Sequence, residues 1–134
     1  LCGECMILGI GIDLCAAHRI EKSLEKTSVC EYVYAPAERT LLEGLSGKRR
    51  AETAAANFAA KEAFLKAAGT GLGGFALNEL ALLRAENGAP YFELQGRAAA
   101  WASQRGLTVH VSLTHENGLA NAIVVLEEHR PKGE

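Results

Sequence analysis

Residues 6–14, MILGIGIDL, form an isoleucine- and leucine-rich run with glycine at alternate positions. That pattern predicts a buried strand. By period-two parity Gly9, Gly11 and Asp13 share one face. Two of the three carry no side chain, so another backbone or a ligand can approach the strand there. Asp13 then stands at the strand end beside cleared space. Helix N-capping is its competing role, since Asp is a favoured cap residue.

The remaining elements follow from period and punctuation. A short helix is predicted over residues 16–26. Pro36 fits the first turn of a second helix that runs to Leu45 and closes at Ser46-Gly47. Residues 49–68 make the longest helix, with alanine at nine of twenty positions. Alanine favours helix and lets neighbours come close. Gly69 is placed to end it. Strands over 77–85 and 90–94 flank an Asn87-Gly88 turn, and Pro90 suits a strand start or edge. A helix over 96–105 carries Trp101 and stops at Gly106. Strands over 107–114 and 120–127 flank a Glu116-Asn117-Gly118 turn. One strand, several helices, then hairpins with one inserted helix predict an α+β fold rather than a regular βαβ winding.

At 134 residues the chain is expected to be one domain. Residues 1–5 read as an N-terminal extension, 6–128 as the domain and 129–134 as a tail. The net charge of −2 gives no broad basic footprint for nucleic acid. No apolar run reaches the ~18 residues of a membrane span. The N-terminus lacks the charged-then-apolar order of a signal peptide, so a cytoplasmic location is expected. Cys2 and Cys5 form a CxxC, but a second ligand pair for zinc is missing and the motif precedes a strand instead of following one.

Charges carry the chemistry. Glu62 and Lys66, spaced i, i+4, share a helix face and on spacing alone read as a surface ion pair. Lys61 points elsewhere and reads as solvated or partner-facing. If Asp13 and Glu62 converge, two carboxylates suit Mg²⁺ shared with substrate phosphates, and Lys66 becomes a cation beside those phosphates. Lys48, Arg49 and Arg50 form a basic knot, either a solvated turn or an anion contact. Gly69, Gly71 and Gly74 match G-x-G-x-x-G, but a helix precedes them and a strand follows, the reverse of a dinucleotide fingerprint. His115 ends its strand; His110 lies on the opposite face, so the two do not share a metal.

Taken together, GIGIDL with Arg19-Ile20, NFAAKEAFLKAAGTGLGG, NGAPYFEL and VHVSLTHENGLANAIVVLEE resemble the holo-acyl carrier protein synthases, the small single-domain 4′-phosphopantetheinyl transferases. The resemblance runs from Met6 to Glu127. It implies a mostly antiparallel sheet packed on a long helix, assembled as a homotrimer with active sites at subunit interfaces. It implies transfer of 4′-phosphopantetheine from coenzyme A to a serine of acyl carrier protein. Asp13 and Glu62 match the family's Mg²⁺ ligands, and Lys66 its lysine near the phosphates. The loop of Gly69, Thr70 and Gly71 matches the coenzyme loop, and His115 a histidine close to the coenzyme. Arg49 and Arg50 lie where basic residues approach the 3′-phosphate. Arg19 matches an arginine that meets the carrier protein, and with Lys22 and Lys26 it would make one cationic stripe on the first helix. Glu62, acting directly or through a water on the metal, is the first candidate to take the serine proton; Asp13 is the second.

The chain departs from the family pattern at Asn57, where many relatives carry arginine, and at Glu116, where threonine is common. Asn57 removes a cation expected near the ligand. Two other readings use the same residues: a metal-dependent phosphohydrolase, and a non-catalytic module that binds coenzyme A or a carrier protein.

Overall fold

The computed structural model describes residues 3–71 and 73–131. Cys2, half of the CxxC, lies outside them. The chain runs β1 (Glu4–Ala16), α1 (Ala17–Ser23), α2 (Thr27–Val33), α3 (Pro36–Glu43), α4 (Gly47–Ala68), a 3-10 turn (Leu77–Glu79), β2 (Leu80–Arg84), β3 (Pro90–Leu94), α5 (Gly96–Arg105), β4 (Leu107–Glu116) and β5 (Leu119–Arg130). The strands form an antiparallel sheet in the order β1-β5-β4 and a separate β2-β3 hairpin. This is the α+β arrangement expected, with one long helix laid on an antiparallel sheet.

The bare face of β1 is where that helix lies. A Cβ added to Gly9 would sit 1.8 Å from the Ala67 carbonyl oxygen, and one added to Gly11 would sit 1.8 Å from that of Ala63. Two strand residues span ~6.6 Å and four helix residues ~6 Å, so the two repeats stay in step. The helix therefore runs antiparallel to the strand, backbone against backbone. α4 is buried on nearly every side, and Ala54, Ala55, Ala59, Ala60 and Ala63 are fully enclosed. Small side chains are what let it approach the strand this closely. Beyond it Phe64 meets Phe75, Phe92 and Trp101, with ring centroids 5.4–6.4 Å from its own. This cluster joins α4 to the hairpin and to α5.

Several sequence expectations need correction. Lys61 is neither solvated nor partner-facing but fully buried. Its ammonium donates to Glu38 Oε1 at 2.5 Å and to the Leu77 and Leu80 carbonyls at 2.8 and 2.7 Å. Position 61 lies on the side of α4 covered by α3 and the start of the hairpin, away from the exposed stripe that carries Lys66. Burial pushes its pKa down, against the pull of Glu38 upwards. Second, α1 stops at Ser23, where Glu25 and Lys26 N–H groups turn back to Lys22 and Ser23 carbonyls. Lys26 sits in extended conformation ahead of α2, so it does not extend the stripe of Arg19 and Lys22 along one helix. Third, residues 27–33 fold as a helix that the sequence pattern does not signal. Strand β1 also begins earlier than expected, with Glu4 paired to Arg130 and Cys5 to His129.

Replacing Gly11 with alanine forces its Cβ into helix backbone, which cannot rotate away. Gly11→Ala is expected to cost about 1–3 kcal/mol or more in urea unfolding. Gly44→Ala, where the nearest atom is 3.5 Å away and φ is −77°, is expected to be neutral or slightly stabilising.

Candidate active site

The helix-on-strand register determines what lies opposite Asp13. Gly9 faces Ala67 and Gly11 faces Ala63. Two residues further along β1, and one turn back along α4, Asp13 faces the turn around Ala59 and Glu62. Lys66 closes the group: its ammonium donates to Asp13 Oδ1 at 3.1 Å and to the Ile12 carbonyl at 2.9 Å. Lys66 therefore pairs across to the strand, not along the helix with Glu62. Asp13 does not cap a helix, since the N-cap of α1 is Ala16. Asn121 Nδ2 donates to the Asp13 carbonyl at 3.1 Å and steadies the strand at this point.

Glu62 lies within the electrostatic reach of Asp13. Burial pushes the Glu62 pKa up, and the Asp13 charge pushes it further, while Lys66 and Arg19 pull it down. Cys15, next along the same strand face, has its thiol pushed up to about 11, chiefly by burial. It stays protonated and serves as apolar packing beneath the charged group. Two hard oxygen donors that repel each other in a partly desolvated place fit a small divalent cation. Among the described residues no cluster of three or more His, Cys, Asp or Glu surrounds a metal position. A cation here would take its remaining oxygens from substrate and water, as Mg²⁺ does.

Past Lys66 the helix ends at Gly69, whose φ of +78° suits a residue without Cβ. The Thr70 and Gly71 N–H groups fold back onto the Leu65 carbonyl at 3.1 and 3.3 Å. This holds the Gly69–Thr70–Gly71 loop over the helix end, one turn beyond Lys66.

A second group of charges lies near the other end of α4. A cleft of about 580 Å³ is lined by Lys48, Arg49, Glu52, Arg84, Pro90 and His115, among others. His115 Nδ1 lies 3.5 Å from Glu52, and Lys48 lies 3.9 Å from the same side chain. Arg50, one residue on from Arg49, faces a different groove, with Arg39, Glu31 and Glu43. The helix turn separates the two arginines. Arg84 is the member that sequence reasoning missed. It follows an ordinary strand pattern, and only the paired hairpin brings it to the cleft. From Glu52 to Glu62 is ten helical residues, ~15 Å. Within one chain the two charged groups are therefore separate.

The same architecture is found in known proteins. A model of the 4′-phosphopantetheinyl transferase superfamily matches residues 9–123. The chain belongs to that superfamily, on its holo-acyl carrier protein synthase branch. It is 42% identical over 125 residues to the holo-acyl carrier protein synthase of Treponema denticola, covering 91% of this chain and 99% of the relative. It is 44% identical over 123 residues to that of Enterococcus faecalis, covering 91% and 98%. The crystal structure of the Bacillus anthracis synthase in complex with CoA (3′,5′-ADP) superposes with a TM-score of 0.78 at 36% identity, over 92% of this chain and 98% of that one. The Neisseria meningitidis synthase superposes with a TM-score of 0.81 at 28% identity, over 90% and 98%.

A raised Glu62 pKa has a definite sign in stability. Between the ordinary glutamate value and the raised one, the folded state binds the proton more tightly than the unfolded chain. Stability of the metal-free protein therefore falls as pH rises through that window. Glu62→Gln removes the effect. In EDTA, thermal unfolding at pH 5 and pH 8 is expected to show the variant gaining on wild type at the higher pH; parallel shifts would contradict the placement.

Proposed function

We propose that this chain transfers the 4′-phosphopantetheine moiety of coenzyme A to a serine of acyl carrier protein, releasing adenosine 3′,5′-bisphosphate. The observation that carries the reading is Asp13 held against the Glu62 turn with Lys66 bridging strand and helix. In the reaction the serine oxygen bonds to the β-phosphorus of coenzyme A, and the bond from that phosphorus to the bridging oxygen breaks. The electron pair leaves with the bisphosphate, and the serine proton goes to Glu62. Asp13 already accepts a hydrogen bond from Lys66, which leaves Glu62 the freer carboxylate to take the proton. Lys66 sits where it can neutralise the leaving phosphate, and the Gly69–Thr70–Gly71 loop offers backbone close to it. Asp13 and Glu62 would hold a Mg²⁺ ion, which would supply charge neutralisation and orientation of the diphosphate. Positioning does most of the remaining work, since the leaving group is already good.

The assembly belongs to the same reading. On β1 the side chains of Ile10, Ile12 and Leu14 are each more than half exposed, and Leu119 and Ile123 on β5 add to that face. Ile12 pairs directly with Ile123. An apolar sheet face of this kind is covered in a working protein. We assign its cover to further copies of the chain, in a homotrimer. That arrangement can bring the Lys48–Arg49–His115 half-site of one copy to the Asp13–Glu62–Lys66 half-site of the next, so that one coenzyme A spans both. Exposed Arg19 and Lys22 on α1, with Lys26 beyond it, give an acidic carrier protein a cationic approach beside Glu62. The reading places the reaction in the cytoplasm.

Mass spectrometry of apo acyl carrier protein incubated with coenzyme A, Mg²⁺ and enzyme tests it. Wild type is expected to add one phosphopantetheine to the serine. Asp13→Asn and Glu62→Gln are expected to lower the rate by at least about a hundredfold while remaining folded. Transfer by both variants at the wild-type rate would overturn the two-carboxylate mechanism. Phosphoester released into water, with no protein adduct, would favour a phosphohydrolase.

A further inference from the structure

We propose that Arg84 is a specificity-determining residue: its guanidinium, held at the cleft wall by Asn57, takes up the 3′-phosphate of coenzyme A. The inference rests on the reading of the cleft as the nucleotide end of a coenzyme A site.

The orientation of Asn57 is fixed. It is fully buried, and its Nδ2 donates to Glu38 Oε2 at 2.9 Å and to the Leu82 carbonyl at 3.0 Å. Both partners are acceptors, so the amide cannot be turned over without burying an oxygen against them. Glu38 is fixed in turn by Lys61 and by the Ala35 N–H at 3.0 Å. Asn57 Oδ1 is thus left to face Arg84, which donates to it through Nη2 at 2.8 Å. Nη1 donates to the Leu83 carbonyl at 3.3 Å. A guanidinium has five N–H donors, so three remain.

The charge of Arg84 is not balanced locally. Among the described residues no carboxylate lies within ion-pair distance of it. Glu38 is the acid whose field it feels, and Glu38 is already held by Lys61. Lys61, Glu38 and Arg84 together leave one positive charge in a partly desolvated place. Lys48, Arg49 and His115 add further basic groups to the same cleft, against Glu52. A phosphate monoester dianion is the ligand group that gains most from such a setting. The diphosphate is accounted for by the Lys66 half-site, ~15 Å along the helix within one chain. That leaves the 3′-phosphate for this cleft. The chain also has asparagine where the family motif commonly has arginine, and Arg84 brings a guanidinium against that asparagine. The cation is supplied from a neighbouring strand instead of the helix.

The test compares coenzyme A with 3′-dephospho-coenzyme A in steady-state transfer to apo acyl carrier protein. Wild type is expected to prefer coenzyme A. Arg84→Gln is expected to lower kcat/KM for coenzyme A by about tenfold to a hundredfold, mainly through KM, and to leave dephospho-coenzyme A within about twofold. Arg84→Lys keeps the charge but cannot span Asn57 and a phosphate together, so an intermediate preference is expected. Equal losses on both substrates, or an undiminished preference in both variants, would overturn the role of Arg84. Failure of wild type to transfer from either substrate would instead overturn the functional reading beneath it.

Discussion

Everything at the candidate site depends on two backbones in contact. Strand β1 gives up side chains at Gly9 and Gly11, and helix α4 presents Ala63 and Ala67 to the vacant face. Because the strand and helix repeats are nearly commensurate, this contact also sets the helix's position along the strand. Asp13 comes to the Glu62 turn as a consequence, and Lys66 reaches across to both Asp13 and the Ile12 carbonyl. A larger residue at either glycine would lift the helix and separate the carboxylates. The packing that builds the core is therefore also what assembles the charged group.

The second charged cleft rests on a buried polar network. Lys61 and Glu38 are both fully enclosed, and Lys61 holds two carbonyls at the start of the hairpin. Asn57 carries the connection to Leu82 and Arg84. Such a network is weak evidence for stability, because desolvating two charges is costly. Its effect is geometric: α3, α4 and the hairpin are held in one relation, and Arg84 is delivered to the cleft. A motif that reads K-E in sequence thus divides its labour. Lys61 faces inwards and fixes structure, while Glu62, about 100° round the helix, faces Asp13 and Lys66.

Much of this was legible in the sequence. Alternating glycines, a helix rich in alanine, Gly69 at its end and Asn87-Gly88 between two strands are local signals with local causes. Each predicted element is present, and β3 and α5 keep their predicted limits. Asp13, Glu62 and Lys66 are brought together, and Arg49 and His115 share a cleft. What was not legible depends on tertiary surroundings. Thr27–Val33 is helical without a helical pattern, because its form is set by what it packs against. Lys61 reads as a surface lysine until α3 places Glu38 over it. Arg50 reads as the twin of Arg49, but the helix turn sends it to another groove. Arg84 has no motif of its own, and only the hairpin and Asn57 give it a role.

The most direct measurement is a crystal structure of the protein with coenzyme A and Mg²⁺. The account predicts a cation between the Asp13 and Glu62 carboxylates, sharing oxygens with the diphosphate beside Lys66. It predicts the nucleotide end of the same molecule against Arg49 and His115 of a neighbouring copy. A cation bound away from both carboxylates, or a diphosphate remote from Lys66, would contradict it.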